Sequence, residues 1–201
     1  MTPGAALIVT PLGEAALRFV LPADVDRAAT RAALAALPGV RDVVLAEAHA
    51  AVYFEGAPTA EGLAAAVVLR GAAALAGHLH TLRARYDGPD LGRVAAWAGV
   101  SPDEVVRIHA AATYEVRYLG FLPGFAYLAT VDARIAAPRL PAPRPRVPKG
   151  AVGIAGPRTG VYPAASPGGW NLVATALDFD AFDPRVGATL LPGDRVRFEP
   201  A

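Results

Sequence analysis

Cysteine is absent from all 201 residues, which excludes disulfides, a thiol nucleophile and a thiolate metal site and accords with a reducing compartment. Net charge is nearly absent as well. Nineteen basic against 18 acidic residues leave +1, so no global field attracts nucleic acid or anionic lipid, and anion recognition falls to local clusters. Long apolar runs are also missing: the most apolar stretch, Leu63 to Leu79, is broken by Arg70, Gly71 and Gly77 and falls short of the roughly 20 residues of a spanning helix. Met1 to Thr10 lacks the charged start and apolar core of a signal peptide, and the expected location is cytoplasmic. What the chain does have is apolar bulk, 54% of its residues. At this length a fold hides roughly 70% of the unfolded surface, in one large domain or two modest ones.

Up to residue 85 strands and helices alternate. Ala15 to Leu21 reads as a strand, Asp24 as the cap of a helix ending before Pro38-Gly39, and Val40–Ala48 with Ala51–Glu55 as a hairpin turning at His49-Ala50. A helix from Thr59 to about Ala76 and a strand from His78 to Tyr86 complete the order β-α-β-β-α-β, the split βαβ arrangement of a ferredoxin-like domain. The fold class is therefore α+β, with a small domain over residues 1–85 and a second over 86–201. The second opens with two helices: Asp90 caps Leu91–Ala98, Gly99 closes it, and Ser101-Pro-Asp-Glu104 supplies a capping box for Pro102–Ala111. This is also the outline of a helix-turn-helix DNA reader, but Asp103 and Glu104 stand where phosphate contacts need donors. From Tyr114 onward, short runs at 114–119, 151–155, 160–162, 171–176, 189–191 and 195–198 lie between glycine and proline turns, the grammar of a closed β-barrel.

Chemistry concentrates in three blocks: Gly120-Phe-Leu-Pro-Gly-Phe-Ala-Tyr127, Arg144-Pro-Arg-Val-Pro-Lys-Gly150 and Ser166-Pro-Gly-Gly-Trp170. Glycine lets a backbone approach a ligand, proline stiffens the loop, arginine offers a planar fork to carboxylate or phosphate, and aromatic rings make walls. Together they describe a preformed anion pocket. Five prolines between Pro138 and Pro148 keep Arg139, Arg144 and Arg146 on extended chain. Arg144 and Arg146 then share a side, which suits an anion between them; the alternative is that each pairs with an acidic residue of its own domain. Lys149, the single lysine, stands beside them. His109, on the capped helix, is a candidate for proton transfer or for a satisfied buried contact. Asp87, Asp90, Asp132, Asp183 and Asp194 are the acidic candidates for a magnesium ion or a general base. His78 and His80 share a strand face without an evident third metal ligand.

In order, Tyr86-Asp-Gly-Pro-Asp-Leu91, Ile108-His109, Gly120–Leu128, Pro138-Arg139, Pro143–Pro148, Val152-Gly-Ile-Ala-Gly156, Thr159-Gly-Val-Tyr-Pro163, Ser166–Trp170 and Pro192-Gly-Asp194 closely resemble the family of 5-oxoprolinase B-type subunits. That family also goes by allophanate hydrolase subunit 1 and by the Kip-type sporulation kinase inhibitor, KipI. The resemblance implies a small α/β domain followed by a cyclophilin-like β-barrel. It implies a hydrolase component, inactive alone, that acts with a C-type (KipA-like) partner and an A-type partner to cleave 5-oxoproline to glutamate. ATP and Mg2+ are the implied cofactors, held by this chain or its partner. Related domains form the carboxyltransferase part of urea carboxylase. The alternative functions are a histidine kinase inhibitor and a carboxyltransferase or allophanate hydrolase-type component. On this reading Arg144 and Arg146 meet the ligand's anionic groups and His109 moves a proton. Phe121, Phe125 and Trp170 form walls, while Gly120, Pro123, Gly124, Tyr127, Arg139, Gly150, Tyr162, Ser166, Gly168 and Gly169 complete the substrate or nucleotide site. Ala126, Arg158 and Asn171 depart from the family's usual proline, glutamine and glutamine.

Overall fold

Leu17 and Phe19 are buried while Arg18 and Val20 are exposed, so strand β2, Ala16–Val20, lays one face on a core. In the computed structural model, which describes residues 7–71 and 77–201, this core belongs to the first of two compact units, Met1–Gly77 and His78–Ala201. The first unit holds β1 (Val9–Pro11), β2, helix α1 (Arg27–Ala35), β3 (Val40–Leu45), β4 (His49–Phe54) and α2 (Leu63–Ala66). The sheet order is β1-β2-β4-β3, with every neighbouring pair antiparallel. Leu34 of α1 joins Phe19, Val52, Phe54 and Leu63 in the core.

Local chemistry moves several expected boundaries. Asp26 caps α1, accepting from the Ala29 N–H at 2.9 Å; Asp24 does not. The buried Arg27 donates to the carbonyls of Ala46 (2.9 Å) and Glu47 (2.6 Å), which fixes the hairpin turn there, ahead of His49. The expected helix from Thr59 shrinks to Leu63–Ala66, because the chain beyond it is extended: Thr30 Oγ1 clamps the Val68 backbone, and Leu69 bridges Val25. Residues 72–76 of that expected helix lie outside the described residues.

The second unit holds β5 (Leu79–Arg85), α3 (Leu91–Ala98), α4 (Pro102–Ala111), β6 (Thr113–Leu119), β7 (Ala126–Ala129) and a 3-10 turn at Ala133–Ile135. There follow β8 (Arg144–Val147), β9 (Ala151–Ala155), β10 (Arg158–Val161), β11 (Ser166–Gly168), β12 (Asn171–Ala176), β13 (Phe182–Asp183), β14 (Gly187–Ala188) and β15 (Arg195–Pro200). Seven strands close a barrel in the order β10-β7-β6-β15-β5-β12-β9, which leaves these strands no open edge. The alternation in β15, Val196 and Phe198 buried against exposed Arg195, Arg197 and Glu199, is the barrel's inside-outside period. Thr189–Leu191 forms no strand.

The main correction concerns β5. Read from sequence as the last strand of a ferredoxin-like domain, it runs parallel to β15 and antiparallel to β12 in the barrel. In the first unit, the edge beside β2 is taken by β1. Helices α3 and α4 keep the bounds read from sequence, but Asp90 makes no side-chain cap bond to α3; Gly99 closes α3 at φ +67°, and Ser101 accepts from the Glu104 N–H at 3.2 Å. Half of the capping box is realised, since Glu104 turns its carboxylate to Arg107.

Candidate functional site

The Gly120–Tyr127 block carries the chain from β6 into β7. Leu122 N–H donates to the Gly120 carbonyl at 2.9 Å, a γ-turn that holds Phe121 at φ +70°, a strained conformation for a residue other than glycine. Gly124, at φ +80°, lies where a Cβ would overlap the Ala181 backbone, so only glycine fits. The turn leaves Phe121 58% exposed and sets Phe125 into the interior.

Phe125 anchors an aromatic wall. Its ring centroid lies 4.9 Å from Tyr127, 5.2 Å from Tyr162, 5.3 Å from Trp170 and 5.5 Å from Phe121, all edge-to-face. With Arg139, Pro143, Pro167, Gly168 and Gly169, these rings line a cleft of about 230 Å³. A Cβ on Gly168 would overlap the Tyr162 hydroxyl and come within 2.9 Å of its ring. Burial raises the phenol pKa values of Tyr162 and Tyr127, with Arg139 acting in the opposite sense on both.

Arg139 is the cleft's cation. It is exposed and makes no hydrogen bond or ion pair with any described residue. The backbone on either side is fixed: Asn171 Nδ2 donates to the Pro138 carbonyl at 2.9 Å, and Leu140 N–H to the Gly169 carbonyl at 2.8 Å. Buried Asn171 also donates to the Ile154 carbonyl and accepts from Arg93 Nε. Sequence reasoning treats Asn171 only as a departure from a family pattern, and it misses Arg93, Pro143 and Pro167. A polar residue opening a strand directly after an aromatic-glycine block is the available signal.

Two residues expected to be catalytic, Arg144 and His109, have internal partners. Arg144 donates to Asp90 Oδ1 at 2.6 Å, and Asp90 Oδ2 accepts the Leu172 N–H at 2.7 Å. Arg144 is therefore neutralised within the domain, which leaves it no free charge for an anion shared with Arg146. Arg146 is exposed and lies outside the cleft lining. His109 is fully buried, with Nδ1 2.7 Å from the Tyr86 hydroxyl, Nε2 3.0 Å from Thr159 Oγ1 and its ring against Phe198. Burial lowers its pKa to about 3. Both nitrogens are engaged and the ring is sealed from solvent, which is the satisfied buried contact that the sequence left open beside proton transfer.

The remaining candidates lie as follows. Gly150, at φ +83°, ties its N–H to the Tyr162 carbonyl, while Ser166 is buried with an unbonded hydroxyl. Gly120, Pro123, Gly124, Gly150 and Ser166 lie outside the cleft lining. Lys149 pairs with Asp180. Asp87, Asp132 and Asp183 pair with Arg85, Arg134 and Arg185, and Asp194 accepts from the backbone of His78 and Leu191 and bonds His80. Among the described residues, no three His, Asp or Glu side chains are grouped to hold a metal ion. No helix among them is long and apolar enough to cross a membrane. Ala126 is buried in β7, and Arg158 opens β10.

Comparison with known proteins adds the family context. The profile described as carboxyltransferase domain, subdomain C and D, matches residues 7–190. The chain is 50% identical over 116 residues to the B-type subunit of 5-oxoprolinase from Escherichia coli O157:H7, covering 56% of this chain and 52% of that protein. It thus spans about half the length of that curated relative. The conserved uncharacterized protein of Pyrococcus horikoshii is 32% identical at a TM-score of 0.59, over 96% of this chain and 97% of that one. The solved protein TTHA0988 reaches a TM-score of 0.76 at 36% identity, over 96% of this chain but 40% of its own length.

Proposed function

This chain belongs to the family of carboxyltransferase domains, subdomains C and D, and we propose that within it the chain serves as the B-type subunit of an ATP-dependent 5-oxoprolinase. With its A-type and C-type companions, the assembly opens the 5-oxoproline lactam to L-glutamate. The observation that carries this reading is the aromatic cleft with an unpaired Arg139 at its edge. The 50% identity to a protein named as a 5-oxoprolinase component of the same type supports it. The substrate is a small ring with one carboxylate; the aromatic rings exclude water and grip the ring, and the guanidinium balances the carboxylate.

A lactam is a poor electrophile, and ATP supplies the phosphoryl group that makes its oxygen a leaving group. The cleft does not fit that cofactor. Its volume of about 230 Å³ lies below the roughly 300–1,000 Å³ typical of sites for drug-sized ligands, and no carboxylate among its lining residues would hold Mg2+. We therefore do not place ATP and Mg2+ in this cleft.

The test is ATP-dependent glutamate release from 5-oxoproline, with this chain alone and with its companions. Turnover is expected only in the mixture. Arg139→Ala is expected to lower kcat/KM by roughly ten- to a hundredfold, the worth of a charge-assisted hydrogen bond. Full activity from this chain alone, or an unaffected variant, overturns the proposal.

A further inference from the structure

We infer that the outer face of the barrel at β5 and β15 is a docking surface for an acidic protein segment, whose carboxylates, at alternate residues of an extended chain, meet Arg195, Arg197 and Arg83. The inference is independent of the proposed function, since none of these arginines lines the aromatic cleft.

The strand ladder sets the three arginines side by side. Arg195 and Arg197 are both exposed on β15, two residues apart and therefore about 6.7 Å from each other on one side of the strand. On the parallel strand β5, Thr81 lies opposite Arg197 and Arg83 follows on the same exposed side, a diagonal neighbour at about 7–8 Å. None of the three has a carboxylate partner among the described residues. Elsewhere in this unit arginines are neutralised locally: Arg85, Arg107, Arg134 and Arg185 each hold a carboxylate two or three positions away. The acidic residues beside the trio do not cancel it. Glu115, opposite Arg195 on β6, is engaged by Arg117, and Glu199 stands opposite Arg83 at the far end of the row. Arg139 and Arg146 also lack partners, but they stand on the Pro138–Pro148 segment, where neither is paired in register with another cation. Neighbouring guanidinium groups repel until a counter-anion joins them, and each offers a fork that fits a carboxylate.

Charge complementarity and spacing name the occupant. The separation of Arg195 and Arg197 equals the alternate-residue repeat of an extended chain, so glutamates at every second position reach both. Leu79, 46% exposed and opposite Arg195, adds apolar contact area on the same face. A nucleic acid fits poorly: Glu199 and Glu115 repel phosphodiesters, and three free cations fall below the roughly 6–10 phosphate contacts that give strong counterion-driven binding.

Fluorescence anisotropy of the 201-residue chain with a labelled peptide of alternating glutamate and threonine tests this. The comparison probes are an isomer with its glutamates contiguous, a glutamine-threonine peptide, oligothymidylate and phosphatidylserine vesicles. The expected result is saturable binding of the alternating peptide that weakens at least about tenfold between about 0.02 and 0.2 M salt. The contiguous isomer should bind severalfold more weakly, and the glutamine peptide not at all. Combining Arg195→Glu with Arg197→Glu should weaken the alternating peptide at least about tenfold. Thr81→Glu, which sets a carboxylate opposite Arg197, should also weaken it without removing a cation. Arg146→Glu, at an equally unpaired arginine off this face, should change binding less than about twofold. Circular dichroism melts confirm that each variant is folded. No binding of the alternating peptide, equal binding of its isomer, tighter binding of oligothymidylate or vesicles, or an equal loss in Arg146→Glu would each overturn the inference. Self-association of the chain that the double reversal abolishes would overturn it too, by giving the face to a second copy.

Discussion

At His109 a buried imidazole links folding to pH. The ring titrates near 6.5 in the unfolded chain and near 3 in the fold, so between these values the unfolded state binds the extra proton and acid destabilises the native state. From pH 7.5 to 5.0 this linkage removes about 2 kcal/mol of stability. His109→Phe should abolish that slope while costing about 1–3 kcal/mol at pH 7.5, because Tyr86 and Thr159 lose their shared partner. Urea titrations of both proteins at the two pH values measure it; parallel slopes would contradict the assignment. Gly168→Ala tests the cleft wall. The added Cβ meets the Tyr162 ring, which is 2% exposed and has no room to turn, so a loss of about 1–3 kcal/mol is expected, read as a lower thermal midpoint. The aromatic and glycine residues of the cleft were legible from their density in sequence. The choice among the arginines was not, because pairing depends on an aspartate far away in the chain.

At the scale of elements, helix ends and loop anchors give the clearest cases. Gly99 and Ser101 act as their residue types predict, since capping involves only neighbours within a turn. Asp90 does not: it precedes α3 without a side-chain cap bond and instead joins β8 to the start of β12 through Arg144 and the Leu172 N–H. Asp90→Ala should therefore cost about 2–4 kcal/mol, more than a lost cap, because it strands a buried N–H and a partly buried guanidinium. Arg144→Ala should cost less, since the buried Asp90 keeps its bond to the Leu172 N–H. Thermal denaturation of both variants orders them, and the opposite order would contradict the anchoring role. The second helix of the first unit is shorter than its sequence suggests for a related reason. Alanine-rich sequence favours helix locally, while Thr30 and Val25 recruit residues 68 and 69 into extended chain.

For the whole molecule, β5 decides the division of the chain. It lies between β15 and β12 in the closed barrel, so a fragment comprising residues 78–201 should fold with a single cooperative transition. A fragment beginning at residue 86, the boundary read from sequence, should leave the barrel open and remain largely unfolded. Circular dichroism melts of the two fragments distinguish them, and equal cooperativity would restore the boundary at residue 86. By itself the sequence determined the α+β class, most of the strands, both capped helices and the aromatic-glycine composition of the cleft, because period, turn chemistry and capping are written within a few consecutive residues. Only the tertiary structure decided that β5 belongs to the barrel, that Arg144 is neutralised while Arg139 stays free, and that His109 is sealed inside. Those outcomes rest on partners such as Asp90 and Thr159, 54 and 50 positions from Arg144 and His109, and separations of that size become contacts only when the barrel closes.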